Sequence, residues 1–281
     1  MNQHRRVMWN ATVKAKPFRK QLEAAQIAGC SALSVTPSDY VRWLGSGVST
    51  HDLKSMAADH DIEISHLDPF VRWVDDWKPS VRGVDFPTDD VAFDTDDFFR
   101  MADALGTGTF TAWGGFPDGR YSKQQIVDAF GHLCDRAARH GMQCGLEFIP
   151  LWEVGTLEYA WEVVSLVGAR NGGIVLDMWH YFRGTPNNAL LASIPGSKIF
   201  AVQLCDAPQC LPKGMTLAQE GLGRRLLPGS GDFPIGDVLD VLRKTQGLNN
   251  VGLEIFSDEI DSMETDKLGT VVKELLDRFS V

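Results

Sequence analysis

Short apolar runs alternate with longer stretches of helical periodicity along most of the chain. Residues 7–11, 32–36, 63–67 and 109–113 read as strands in the first half, the second of them ended by Pro37. In the second half, strands are expected at 143–149, 173–178, 199–204 and 250–256. Amphipathic spacing predicts helices over 17–28, 50–60, 94–105, 122–140, 156–167, 187–193, 235–246 and 263–279. Punctuation agrees with this spacing. Pro17 opens the first helix and Gly29 closes it; Ser122 caps the fourth and Gly141 stops it. Strands that alternate with helices imply a parallel sheet. Eight such units in one chain favour closure, so the expected fold is α/β, a single (β/α)8 TIM barrel over 1–281. A doubly wound open sheet is the structural alternative. The segments 68–93 and 206–234 exceed simple connectors, and both follow strands. In a barrel they lie at the C-terminal face, where binding loops gather.

Composition narrows this picture. The 281 residues are 44% hydrophobic and 23% charged, as in an ordinary globular chain. The net charge of -10 makes nucleic acid an unsuitable partner, because phosphate affinity comes largely from Lys and Arg. No apolar run is long enough for a membrane span, and none follows the polar start as a signal peptide would require. Five cysteines, with no CxxC pair, point to a reducing, cytoplasmic location.

The chemistry sits on the last four strands. Each carries one polar side chain inside an apolar run: Glu147, Asp177, Gln203 and Glu254. A carboxylate in a barrel core is costly unless it is paired or binds a metal. No Lys or Arg lies within these strand cores. A divalent cation held by Glu147, Asp177, Gln203 and Glu254 resolves the imbalance. An all-oxygen set suits Mn or Mg, with Zn and Co as further candidates. Trp113, Trp152 and Trp179 each follow a predicted strand and suit an apolar wall beside such a site. No GxSxG elbow or GxGxxG fingerprint occurs.

These residues resemble the xylose-isomerase-like sugar phosphate isomerase/epimerase superfamily of barrels. Glu147, Asp177 and Glu254 match its metal ligands on strands 5, 6 and 8, while Gln203 stands where the family usually has His. His180, three residues after Asp177, matches a family Asp-x-x-His whose His contacts substrate. Glu153 matches a position of the ketose 3-epimerase branch, and Arg225 begins an Arg-x-x-Pro-Gly that binds substrate oxygens. Arg224 competes for that role. His66, ending strand 3, resembles a substrate-contact position.

The resemblance implies a divalent-metal-dependent isomerase or epimerase of a sugar or keto-polyol. It would move protons through a metal-stabilised enediolate, with Glu147 and Glu254 as the acid/base pair. Loss of a β leaving group from the same intermediate gives the alternative, a lyase. That lyase would be a dehydratase, or the alpha subunit of an enzyme that cleaves 3-keto C-glycosides. The expected partner is a small carbohydrate or keto-polyol. A homo-oligomer, or a small partner subunit on the lyase reading, completes the expectation. The nuclease branch of the same fold fits poorly, since it needs a His-rich site and this chain has seven His in all.

Overall fold

The computed structural model describes residues 4–75, 77 and 92–281. Most of the segment expected as a loop over 68–93 therefore lies outside the described residues. The eight strands are β1 Val7–Met8, β2 Ala32–Val35, β3 Glu63–Phe70 and β4 Thr109–Trp113, then β5 Gln143–Glu147, β6 Gly172–Asp177, β7 Ile199–Leu204 and β8 Val251–Leu253. They pair in sequence order, all parallel. Between β8 and the first strand, Arg6 bridges to Val251 in the same parallel sense, which closes the cylinder. This is the expected single (β/α)8 barrel.

The seam is narrow. A Cβ on Gly252 would lie 1.8 Å from the Val7 carbonyl oxygen, so only glycine fits there. Strand alternation then sorts the core into two layers. Val7, Trp9, Ala32, Val175 and Ala201 fill the lumen. The opposite faces of the strands, with residues such as Met8, Leu33, Leu176 and Val202, pack outward in the layer shared with the helices.

Several elements differ from the pattern-based reading. The first strand stops at Met8, because Asn10–Val13 turns helical. A helix at Pro37–Gly45 follows β2 almost directly. Pro37 was expected only to end the strand, yet it occupies the first helical turn and Thr36 accepts from the Asp39 amide. Met178–Arg183 is also helical, capped by Asp177. The long segment after β7 contains a helix, Leu217–Gly223, opened by a reciprocal Thr216–Gln219 capping box. The expected final helix is found at Thr265–Arg278, and an additional short helix, Asp258–Ser262, precedes it. Among the described residues, no helix is long and apolar enough to cross a membrane.

Candidate metal centre and active site

Glu147 ends β5, Asp177 ends β6, Gln203 lies in β7 and Glu254 follows β8. The register sets Asp177 beside Gln203 and Trp113 beside Glu147, so these positions share the C-terminal rim. Every one of the four polar residues is buried, Asp177 completely. Asp177 divides its work between its two oxygens. Its Oδ1 accepts from the His180 amide at 2.9 Å, capping the short helix that follows. Its Oδ2 accepts from Arg225 Nη1 at 2.6 Å.

The structure answers the question of what neutralises the acids in part with a cation from outside the strands. Arg225 enters from the segment after β7 and is 2% exposed. Its Nη1 also donates to Glu254 Oε2 at 3.1 Å, while its Nε donates to the Gly221 carbonyl at 2.8 Å. The guanidinium lies over the rings of Phe256 and Trp179, at 4.8 and 5.4 Å. The strand cores hold no Lys or Arg, as expected, and the cation that reaches the acids comes from the loop. The sequence-matched arginine is bound to carboxylates, and Arg224 is exposed beside Asp258.

One guanidinium against three buried carboxyls leaves excess negative charge. Burial, reinforced by Asp68 and Asp177, pushes the Glu147 carboxyl well above the usual carboxylate range. Burial and then Asp177 do the same to Glu254. Burial would raise Asp177 as well, but Arg225 and His180 outweigh it and hold this carboxyl below its ordinary value. His180 is lowered to about 4, chiefly by burial, and is therefore neutral near pH 7.

The residues fit a divalent cation. Glu147, Asp177 and His180 bring ligand-type atoms within 4.8 Å of one another. His180 Nε2 lies 3.7 Å from Glu147 Oε1 and 4.0 Å from Asp177 Oδ2. Gln203 donates its amide Nε2 to Glu254 Oε1 at 2.9 Å, which leaves the Gln203 Oε1 free. That oxygen and Glu147 Oε1 are buried with no hydrogen-bond partner among the described residues. Unsatisfied oxygens and surplus negative charge are what a bound divalent ion would relieve. His180, expected as a substrate contact, joins the ligand-type cluster.

A narrow pocket opens above this cluster. Glu147, His180, Arg225 and Glu254 line its floor, and Trp113, Trp152, Trp179 and Phe256 stand among its apolar walls. Two sequence candidates lie elsewhere. His66 is buried against Trp9, with ring centroids 4.9 Å apart, and its Nδ1 meets Ser65 Oγ at 2.6 Å. Glu153 accepts from the Gly119 amide at 2.6 Å and from the Tyr159 hydroxyl at 3.2 Å. Neither lines the pocket. The acceptor role of Asp177 at the helix start was legible as an N-cap signal, since an Asp precedes the helical Met178–Arg183 run. The partners of Arg225 carry no local signal, because they lie 48 and 29 residues away.

Comparison with known proteins supports the same architecture. The 3-dehydroshikimate dehydratase of Pseudomonas aeruginosa is 27% identical over 85% of this chain and 36% of its own length. The inosose isomerase of Bacillus subtilis is 30% identical over 53% of this chain and 55% of its own length. The chain thus spans about a third of the dehydratase and about half of the isomerase is aligned. A crystal structure of the IOLI protein with a zinc atom superposes over 98% of both chains, with a TM-score of 0.83 and 22% identity. At that identity the likeness speaks for the fold. The pattern of the xylose isomerase-like TIM barrel family matches residues 22–279, and the chain belongs to that family.

Proposed function

We propose that this barrel, acting as one domain over 1–281, is a divalent-cation-dependent isomerase or epimerase of a polyhydroxylated ketone. The observation that carries the reading is the pair Glu147 and Glu254. Both face the pocket, both are buried, and they stand at the ends of separate strands with Arg225 and His180 beside them. Two such groups on separate strands suit removal of a proton at one carbon and its return at another position.

Glu147, Asp177, Gln203 and Glu254 would hold the cation, with His180 beside them. When bound, it would supply positive charge where negative charge develops on the substrate oxygens. Mn and Mg suit the oxygen-rich set; the neutral imidazole of His180 also admits Zn or Co. The chain's own groups do the rest. One carboxylate takes the proton on the carbon next to the carbonyl, and the C–H electron pair moves onto the carbonyl oxygen. The second carboxyl delivers a proton to the neighbouring carbon or the opposite face. Arg225 keeps Asp177 ionised and Glu254 oriented. Trp113 and Trp179 exclude water from the developing charge.

A second reading, dehydration, is favoured by the dehydratase match, which covers 85% of this chain against 53% for the isomerase. Here the same carbanion expels a β-hydroxyl, and a protonated carboxyl donates to the leaving oxygen. Both readings are tested together. Mn-, Mg- or Zn-loaded protein is incubated with 3-dehydroshikimate or an inosose in heavy water. Deuterium entering the carbon next to the carbonyl without loss of water, read by proton NMR, supports the isomerase; new ultraviolet absorbance from loss of water supports the dehydratase. Neither signal with any of these ions removes both readings.

A further inference from the structure

Another buried acid stands behind the pocket wall. Glu220, on the helix Leu217–Gly223, is 1% exposed and does not line the pocket. Its Oε2 accepts from Trp179 Nε1 at 2.9 Å and from Arg183 Nε at 2.6 Å. Its Oε1 accepts from Arg183 Nη2 at 2.8 Å. Arg183 in turn donates to the carbonyls of Pro208 and Gln209, at 2.6 and 3.2 Å. The forked ion pair therefore ties the helix after β6 to the start and the middle of the segment after β7.

The next residue extends this clamp into the site. A Cβ on Gly221 would come within 2.8 Å of the Trp179 ring, so the backbone there lies flat against the indole. The Gly221 carbonyl also holds Arg225 Nε. A tryptophan has a single hydrogen-bond donor. Spending that donor on Glu220 fixes how the ring turns about its own axis. A buried ion pair needed only for stability would gain little over apolar residues of the same volume. This one gives one of its oxygens to an indole that forms the substrate wall.

We propose that Glu220 is a positioning residue: held by Arg183, it fixes the Trp179 indole as a rigid wall of the substrate pocket. The kinetic part of this inference rests on the functional reading above; the structural part does not.

The test uses the full chain labelled with 5-fluorotryptophan, with the Trp179 fluorine signal assigned by its loss in Trp179→Phe. Glu220→Gln keeps the shape and removes the charge, while Arg183→Lys keeps the charge and removes the fork. Both variants should shift or broaden the Trp179 signal and leave that of Trp9 in place. With whichever ketone the wild type turns over, Glu220→Gln should raise KM about tenfold and leave kcat within about twofold, the mark of lost uniform binding. In a Trp179→Phe background the same change should alter KM less than about twofold, since the coupled partner is already gone. An unmoved Trp179 signal in both variants overturns the proposal, as does an equal KM effect in both backgrounds. If the wild type turns over no ketone, the functional reading fails alone and the fluorine spectrum decides the role of Glu220.

Discussion

The two halves of the barrel do different work. The rim of β5 to β8 carries Glu147, Asp177, Gln203 and Glu254, all buried and only partly neutralised. The β1 to β4 half contributes the neutral groups Trp9, Ser34, His66 and Thr111, together with one buried carboxyl, Asp68 on β3, which acts on Glu147 across the barrel. His66 is pushed down to about 3, mainly by burial, and stays neutral. The contrast teaches that burial alone does not mark a site. One half hides mainly neutral polar groups, some without a partner among the described residues; the other sets three carboxyls against one guanidinium. The second condition costs stability and calls for a function.

The sharpest way to break this division is Glu254→Gln, which removes an acid/base group and a ligand at once. Turnover should fall about 10³–10⁴-fold in steady-state assays. A variant that keeps activity within about tenfold would end the assignment of chemistry to this half. Arg225→Met comes next, because it strands Asp177 and Glu254 without their cation. The metal-free protein should lose about 3–5 kcal/mol in urea denaturation, and Mn should restore much of it. Equal losses with and without metal would mean that the charge is not shared with an ion.

A pH series sharpens the comparison further. A carboxyl whose folded pKa is raised makes the folded state bind more protons, so stability falls as pH rises above its ordinary value of 4.5. A histidine whose folded pKa is lowered acts in the opposite sense, and its effect is complete once pH passes 6.5. Asp177, held low, adds stability that is fully present above 3.8. Just above pH 6.5 Glu147 and Glu254 act first, before the buried thiols of Cys30, Cys144 and Cys205, which burial also raises, enter toward pH 9. The metal-free protein should therefore lose stability as pH climbs from there through their raised folded values, and a saturating divalent ion should flatten the slope. Melting temperatures across pH 6–9, with and without EDTA, check this; identical slopes would contradict it. The smallest effect belongs to the neutral half. His66→Asn should cost about 1 kcal/mol of stability and change kcat less than about threefold. If it abolished turnover, the division between halves would be wrong.

Much of the fold could be read from the chain because strand and helix periods differ so plainly. The strands β4 to β7 fall within a residue or two of the apolar runs that predict them. The helix Pro37–Gly45 escaped because Pro37 was weighed as a strand stop, although Thr36 and Pro37 together form a helix start. The Leu217–Gly223 helix likewise announced itself through Thr216 and Gln219, inside a stretch too polar to show periodicity. The acid-bearing strand ends were legible because charge inside an apolar run is rare. Arg225 matched a family pattern, but its two carboxylate partners depend on how a long loop folds back. Glu220 and Arg183 stayed invisible for the same reason: 37 residues separate them, and each alone looks like an ordinary surface charge.

The glycine at the seam has a consequence for Glu254. With no side chain at Gly252, β8 rests directly on the Val7 peptide, and two residues later the Glu254 amide donates to the Leu204 carbonyl at 3.0 Å. Peptide groups, unlike core side chains, are identical in every sequence. The backbone of Glu254 is thus located by peptide contacts that only a change at Gly252 itself would disturb. Drift among the surrounding apolar residues can proceed while its coordinates stay put.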